Sequence, residues 1–200
     1  HALLGTVLGV LLVFRTNTAY DRWWEGRKLW GQLVNDSRNL AIKVRALPKV
    51  DRTEKYRMAR LLVNFARALK EHLREGIRPA NLSIYRGTAS NPTHVPAHVA
   101  GMIRETFTGW KAQGRIEGFD DLLLDPHARA LLDICGACER IRKTPIARSY
   151  LLFIRQSIAL YLLTLPWGLV DDWGYWCIPV SAIITYFLLG MELLAEEVEE

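Results

Sequence analysis

An all-α membrane bundle carrying a large helical domain is the fold class that the sequence predicts. Three observations predict it. Uncharged apolar runs sit at both ends of the chain, over residues 2–14, 156–170 and 173–191. The stretch between them shows helix-period patterning and no sustained strand alternation. Charge is segregated to match. Residues 15–144 hold 24 of the 26 Lys and Arg and 14 of the 21 acids, a net +10, while the remainder carries −5. The chain averages, 50% hydrophobic and 24% charged, conceal that division.

The elements follow in order. Residues 1–14 read as a membrane span whose start is cut off, since the chain opens at His1 inside an apolar run. A preceding N-terminal span is therefore expected. The helix should continue without Pro from Phe14 to Val44 and stop at Pro48. Asp51 and Glu54 mark a new start. Residues 52–75 carry an apolar stripe through Met58, Leu61, Leu62, Phe65 and Leu69. Residues 76–96, rich in Gly, Pro and Asn, read as loop. Helical patterns resume at 97–113 and 127–143. Residues 148–170 form a second span, provided that Arg155 and Gln156 face protein or water rather than lipid. Asp171–Asp172 is the outer turn. Residues 173–195 form a third span, because 19 uncharged residues suffice to cross hydrocarbon. An acidic end occupies 196–200. Trp167, Trp173, Tyr175 and Trp176 cluster at the outer turn as an interfacial aromatic belt would. Basic residues flanking the spans place 15–147 in the cytoplasm.

Several chemistries are excluded or unsupported. Fourteen Gly and eight Pro beside so much apolar residue rule out collagenous, mucin-like and disordered chains. Three Cys, an odd count, argue against a disulfide-stapled secreted scaffold. Cys135-Gly-Ala-Cys138 lacks a second ligand pair, so the two cysteines read as core neighbours on a helix. The five His are scattered. His94 and His98 have helical spacing, but Pro96 between them argues against one regular helix. Neither metal nor cofactor is expected. No P-loop, Rossmann glycine pattern, G-x-S-x-G or H-E-x-x-H is present, and no acid–base carboxylate pair stands out, so nothing supports an enzyme. The basic domain could suit nucleic acid, but no recognition-helix turn is evident, and no nucleic-acid partner is expected. A soluble protein with these runs as core helices, and a non-conducting membrane adaptor binding anionic lipid, are the further alternatives. Gly5-x-x-x-Gly9 has the spacing that lets membrane helices approach closely.

One face of the first helix has an unusual composition. Thr6, Val10 and Phe14 share a stripe. Asp21 and Glu25 fall within about 20° of the Phe14 direction at about 3.6 residues per turn. Around a symmetry axis this stripe would make an apolar neck opening onto rings of carboxylates, which favour cations. Alternatively, Val10 and Phe14 pack against neighbouring helices, and Asp21 and Glu25 pair with Arg22 or Arg27.

The stretch FRTNTAYDRWWEGRKLWGQLVNDSRNLA, residues 14–41, resembles the signature of the bestrophin family in its bacterial form. CERIRKTPIARSY (138–150), LPWGLVDDWGYW (165–176) and GMELLAEEVEE (190–200) resemble further family segments in the same order. The resemblance implies a homopentameric ion channel with four transmembrane helices per subunit. Three would be visible here, the first of them being the family's second, pore-lining helix. It implies that the neck falls on Thr6, Val10 and Phe14, and a second constriction near the cytoplasmic exit on Ile141. Partners would be other copies of the chain, membrane lipid and permeating monovalent ions, in a bacterial inner membrane. Animal members are calcium-activated anion channels. Their acidic calcium cluster lies past the end of this sequence, so Glu196, Glu197, Glu199 and Glu200 are read as a solvated or helix-capping end. Bacterial members resemble cation channels, so cation selectivity is expected, with a chloride-selective pore of the same architecture as the alternative.

Overall fold

The computed structural model describes residues 2–74 and 92–199. The expected loop over 76–96 therefore lies largely outside the described residues. Six α-helices account for the regular structure among those described: α1 (Ala2–Ala46), α2 (Arg52–Leu73), α3 (Val95–Ala112), α4 (Gly118–Lys143), α5 (Arg148–Trp173) and α6 (Cys177–Glu199). A short 3-10 turn, Gly174–Trp176, joins the last two. The chain divides into two compact units, His1–Gly26 with Thr144–Glu200, and Arg27–Lys143.

The first unit packs the start of α1 with α5 and α6. Leu8, Leu12, Ile154 and Ile158 form its buried core, with Tyr150, Tyr161 and Leu188 against them. Among the described residues, two helical segments are long and apolar enough to cross a membrane, one within Ala2–Ala46 and one within Arg148–Val198. Only 22% and 11% of their most apolar windows are buried. Core helices of a soluble protein would be mostly covered, so the soluble alternative loses its footing.

The second unit is built from the remainder of α1 with α2, α3 and α4. Phe65, Leu69, Ile103, Phe107, Leu131 and Ile134 are central to one continuous core. Cys135 and Cys138 lie in that core as expected of helical neighbours.

Element boundaries differ from expectation where local chemistry was misread. The reversal before α6 falls at Gly174–Trp176, not at Asp171–Asp172, which belong to α5. Gly174 adopts φ +51°, a left-handed conformation that an aspartate takes at a cost, and its N–H bonds the Val170 carbonyl to end the helix. Pro96 starts α3 rather than breaking a helix. It occupies the first turn, where its missing N–H costs nothing. His94 is the N-cap, its Nδ1 accepting from the Ala97 N–H at 3.0 Å. α4 begins at Gly118, nine residues before the expected 127, and carries Pro126 internally. Asp120 Oδ2 accepts from the Glu117 N–H at the start of that helix. Burial of Leu124, Leu131 and Ile134 on one face holds the turns on both sides of the proline. Asp51 stands at the α2 N-cap without a side-chain cap bond, and Glu54 instead accepts from Trp110 Nε1 at 3.3 Å.

Candidate pore-lining face

The stripe proposed from sequence lies on the uncovered side of α1. Thr6 is exposed, Val10 is 50% exposed and Phe14 62% exposed. Asp21 is exposed and Glu25 half-buried. The opposite stripe, Leu8, Leu12, Arg15 and Ala19, is buried. That alternation follows from helical periodicity. Leu3, Leu4, Val7 and Val13 are exposed as well, so the bare surface of α1 is wider than the stripe. The Thr6 hydroxyl donates to the Ala2 carbonyl at 3.0 Å, so part of its polarity is spent on the helix itself. Thr18 does the same with the Phe14 carbonyl at 2.8 Å. Ile141 is half-buried on α4 in the second unit.

Glycine spacing on α1 has a specific cause at one of its two positions. A Cβ on Gly5 would lie 2.8 Å from Tyr161 Oη on α5, whereas one on Gly9 would meet nothing within 4 Å. Only Gly5 is needed for close approach.

A charged cluster at the end of this unit escaped the sequence reading. Arg15 is ion-paired with Glu192 of α6, and both are buried. The other Glu192 oxygen accepts from Arg155 Nε at 2.7 Å, and Arg155 Nη2 lies 2.7 Å from Glu196 Oε1. Arg155 therefore faces protein carboxylates, as the second span requires of it, whereas Gln156 is exposed. Glu196 is not merely a solvated end residue, because it closes this cluster. The sequence signal was available: lone charges of opposite sign in three apolar runs need one another.

The second unit gathers titratable groups that looked scattered in the sequence. His72 Nε2 and His94 Nε2 lie 2.9 and 2.6 Å from the same oxygen of Glu139. The Cys135 thiol lies 3.6 Å from that oxygen. Burial would raise the Glu139 carboxyl, but hydrogen bonds from His94 and His72 outweigh it and hold it below the ordinary range. Burial and then the Glu139 charge push the Cys135 thiol up to about 12. His72, His94 and Glu139 are the group among the described residues whose atoms could hold a metal ion. The His94 cap weighs against it. With Nδ1 accepting from Ala97, the ring proton sits on Nε2 and is donated to Glu139, leaving no lone pair for a metal. Elsewhere in the unit, His127 bridges Asp36 and Lys43, at 2.8 Å to each. Arg104 grips both oxygens of Asp121.

The whole chain, residues 1–200, matches the family described as "Bacterial/Fungal Bestrophin protein". The chain belongs to the bestrophin family. A voltage-dependent anion channel-forming protein of Nostoc sp. is 36% identical to this bestrophin over 205 residues, covering 96% of the chain and 66% of the relative. One of the same description from Escherichia coli K12 is 33% identical, covering 100% of the chain and 67% of the relative. The bestrophin here thus spans about two thirds of the length of the curated relatives it matches. The crystal structure of a bacterial bestrophin homologue from Klebsiella pneumoniae is similar throughout, with a TM-score of 0.91 and 28% identity, covering 99% of this chain and 76% of that one. The Nostoc and Escherichia coli relatives are named for channel formation, a class apart from enzymes.

Proposed function

We propose that this bestrophin is the pore-forming subunit of a homopentameric channel that passes monovalent ions passively across a bacterial inner membrane. Thr6, Val10 and Phe14 line its neck and act as an apolar gate, and Ile141 forms a second constriction. Residues 15–147 face the cytoplasm, and the turn after α5 faces outward. The exposure of Val10 and Phe14 carries this reading. A subunit leaves large apolar side chains bare opposite a packed helix face only where lipid, another copy or a pore covers them.

Selectivity for anions is the better supported form of the channel. Its relatives are named for anion conduction, and the domain between the spans carries net +10. Those names weigh against the cation selectivity expected from sequence. One observation still favours cations: Asp21 is exposed on the same side of α1 as Phe14. Full-length protein in a planar bilayer, held across a sodium chloride gradient, separates the two. A reversal potential near the chloride value supports the anion reading. One near the sodium value supports the Asp21 and Glu25 rings. A confirmed assembly that never conducts would overturn both.

A further inference from the structure

We propose that Glu192 sets the charge of the pore mouth by holding Arg15 out of it. The inference rests on the channel reading above. Arg15 directly follows Phe14, the last residue of the proposed neck. The two side chains have opposite fates: Phe14 is 62% exposed and Arg15 is 1% exposed. Arg15 sits on the inward stripe with Leu12 and Ala19, both fully buried. There its guanidinium pairs with Glu192, itself only 7% exposed.

Charge balance makes Glu192 central to this arrangement. The cluster contains two guanidiniums, Arg15 and Arg155, and two carboxylates, Glu192 and Glu196. Arg155 has a second carboxylate at 2.7 Å, on Glu196. Glu192 pairs directly with Arg15 as well as with Arg155. A guanidinium cannot shed its proton, so losing Glu192 strips a buried cation of a carboxylate counter-charge. The long flexible stem of Arg15 lets that cation move to water. The exposed side of α1 begins one residue away, at Phe14. Repeated around an axis, the released guanidiniums would form a positive ring just past the neck, and rings of charged side chains select ions.

Reversal potentials of assembled protein in a sodium chloride gradient test this through the sign of the change. Glu192→Gln should raise the chloride-to-sodium permeability ratio severalfold. Arg15→Met should leave the ratio at the wild-type value, because its charge does not face the pore. The double variant Arg15→Met with Glu192→Gln should return to wild type, with Arg155 and Glu196 still paired. A purely structural clamp gives a different pattern, in which the double variant is at least as disturbed as either single one. A fall in the ratio on Arg15→Met alone would show that Arg15 already faces the pore and would overturn the proposal, even if Glu192→Gln failed to assemble. Wild-type protein that assembles and stays silent would sink the channel reading together with this one. Wild-type currents with no shift in Glu192→Gln would sink this inference alone.

Discussion

Replacing Glu139 with Ala should loosen the second unit at one identifiable place. The carboxylate oxygen that receives His72 and His94, at 2.9 and 2.6 Å, ties the last turn of α2 and the N-cap of α3 to α4. A hydrogen bond to a charged group contributes about 1.5–3 kcal/mol. Two such bonds on one oxygen are not additive, so the expected loss is about 2–4 kcal/mol. At about 1.4 kcal/mol per factor of ten, amide exchange should quicken roughly 30- to 1,000-fold. Hydrogen exchange read by mass spectrometry should show this at the end of α2 and around Ala97, while α5 and α6 stay unchanged. The sign with pH is fixed by the lowered Glu139 carboxyl. Its contribution is complete above the ordinary glutamate value of about 4.3 and is lost as pH falls through the depressed folded value. The gap in denaturation midpoint between wild type and variant should therefore be constant near neutrality and close only in acid. Equal exchange at pH 7, or a gap that widens on acidification, would refute the reasoning.

Three further outcomes are expected. Val10→Ala and Phe14→Ala should each widen or wet the neck and raise single-channel conductance; unchanged currents in both would remove these residues as the gate. Gly5→Ala should lower the melting temperature of the detergent-solubilised protein, because its methyl group must displace Tyr161 at a cost of about 1–3 kcal/mol, while Gly9→Ala meets open space and should not. Equal melting of the two would discount the contact. Cys135, buried and with its thiol pushed up to about 12, should resist maleimide at pH 7 in the native protein and react fully once denatured. Rapid native labelling would contradict its burial.

The helical character of the chain was plain in its sequence because long periodic segments without Pro leave few alternatives. The helix end expected at Val44 and the start expected at residue 52 lie within two residues of those observed, Ala46 and Arg52. The boundaries that failed depended on single-residue conformations. Gly174 was hidden behind two conspicuous aspartates, and Pro96 has opposite meanings at a helix start and inside a helix. The stripe of Thr6, Val10 and Phe14 was legible because it repeats along one helix. The cluster of Arg15, Arg155, Glu192 and Glu196 draws on three helices far apart in sequence, and pairing across such distances is set by packing rather than by local pattern. The same holds for His72, His94 and Glu139.

The double anchorage of α2 and α3 makes one turn of α4 a shared fastening. His72 and His94 meet at Glu139, and Arg142 donates to the carbonyls of His72 and Arg74 on the same side. Both ends of the intervening segment are thus fastened to α4, whatever lies between them. Glu139 and Arg142, on one turn of α4, therefore act as a single latch, and loosening that turn frees two helices at once.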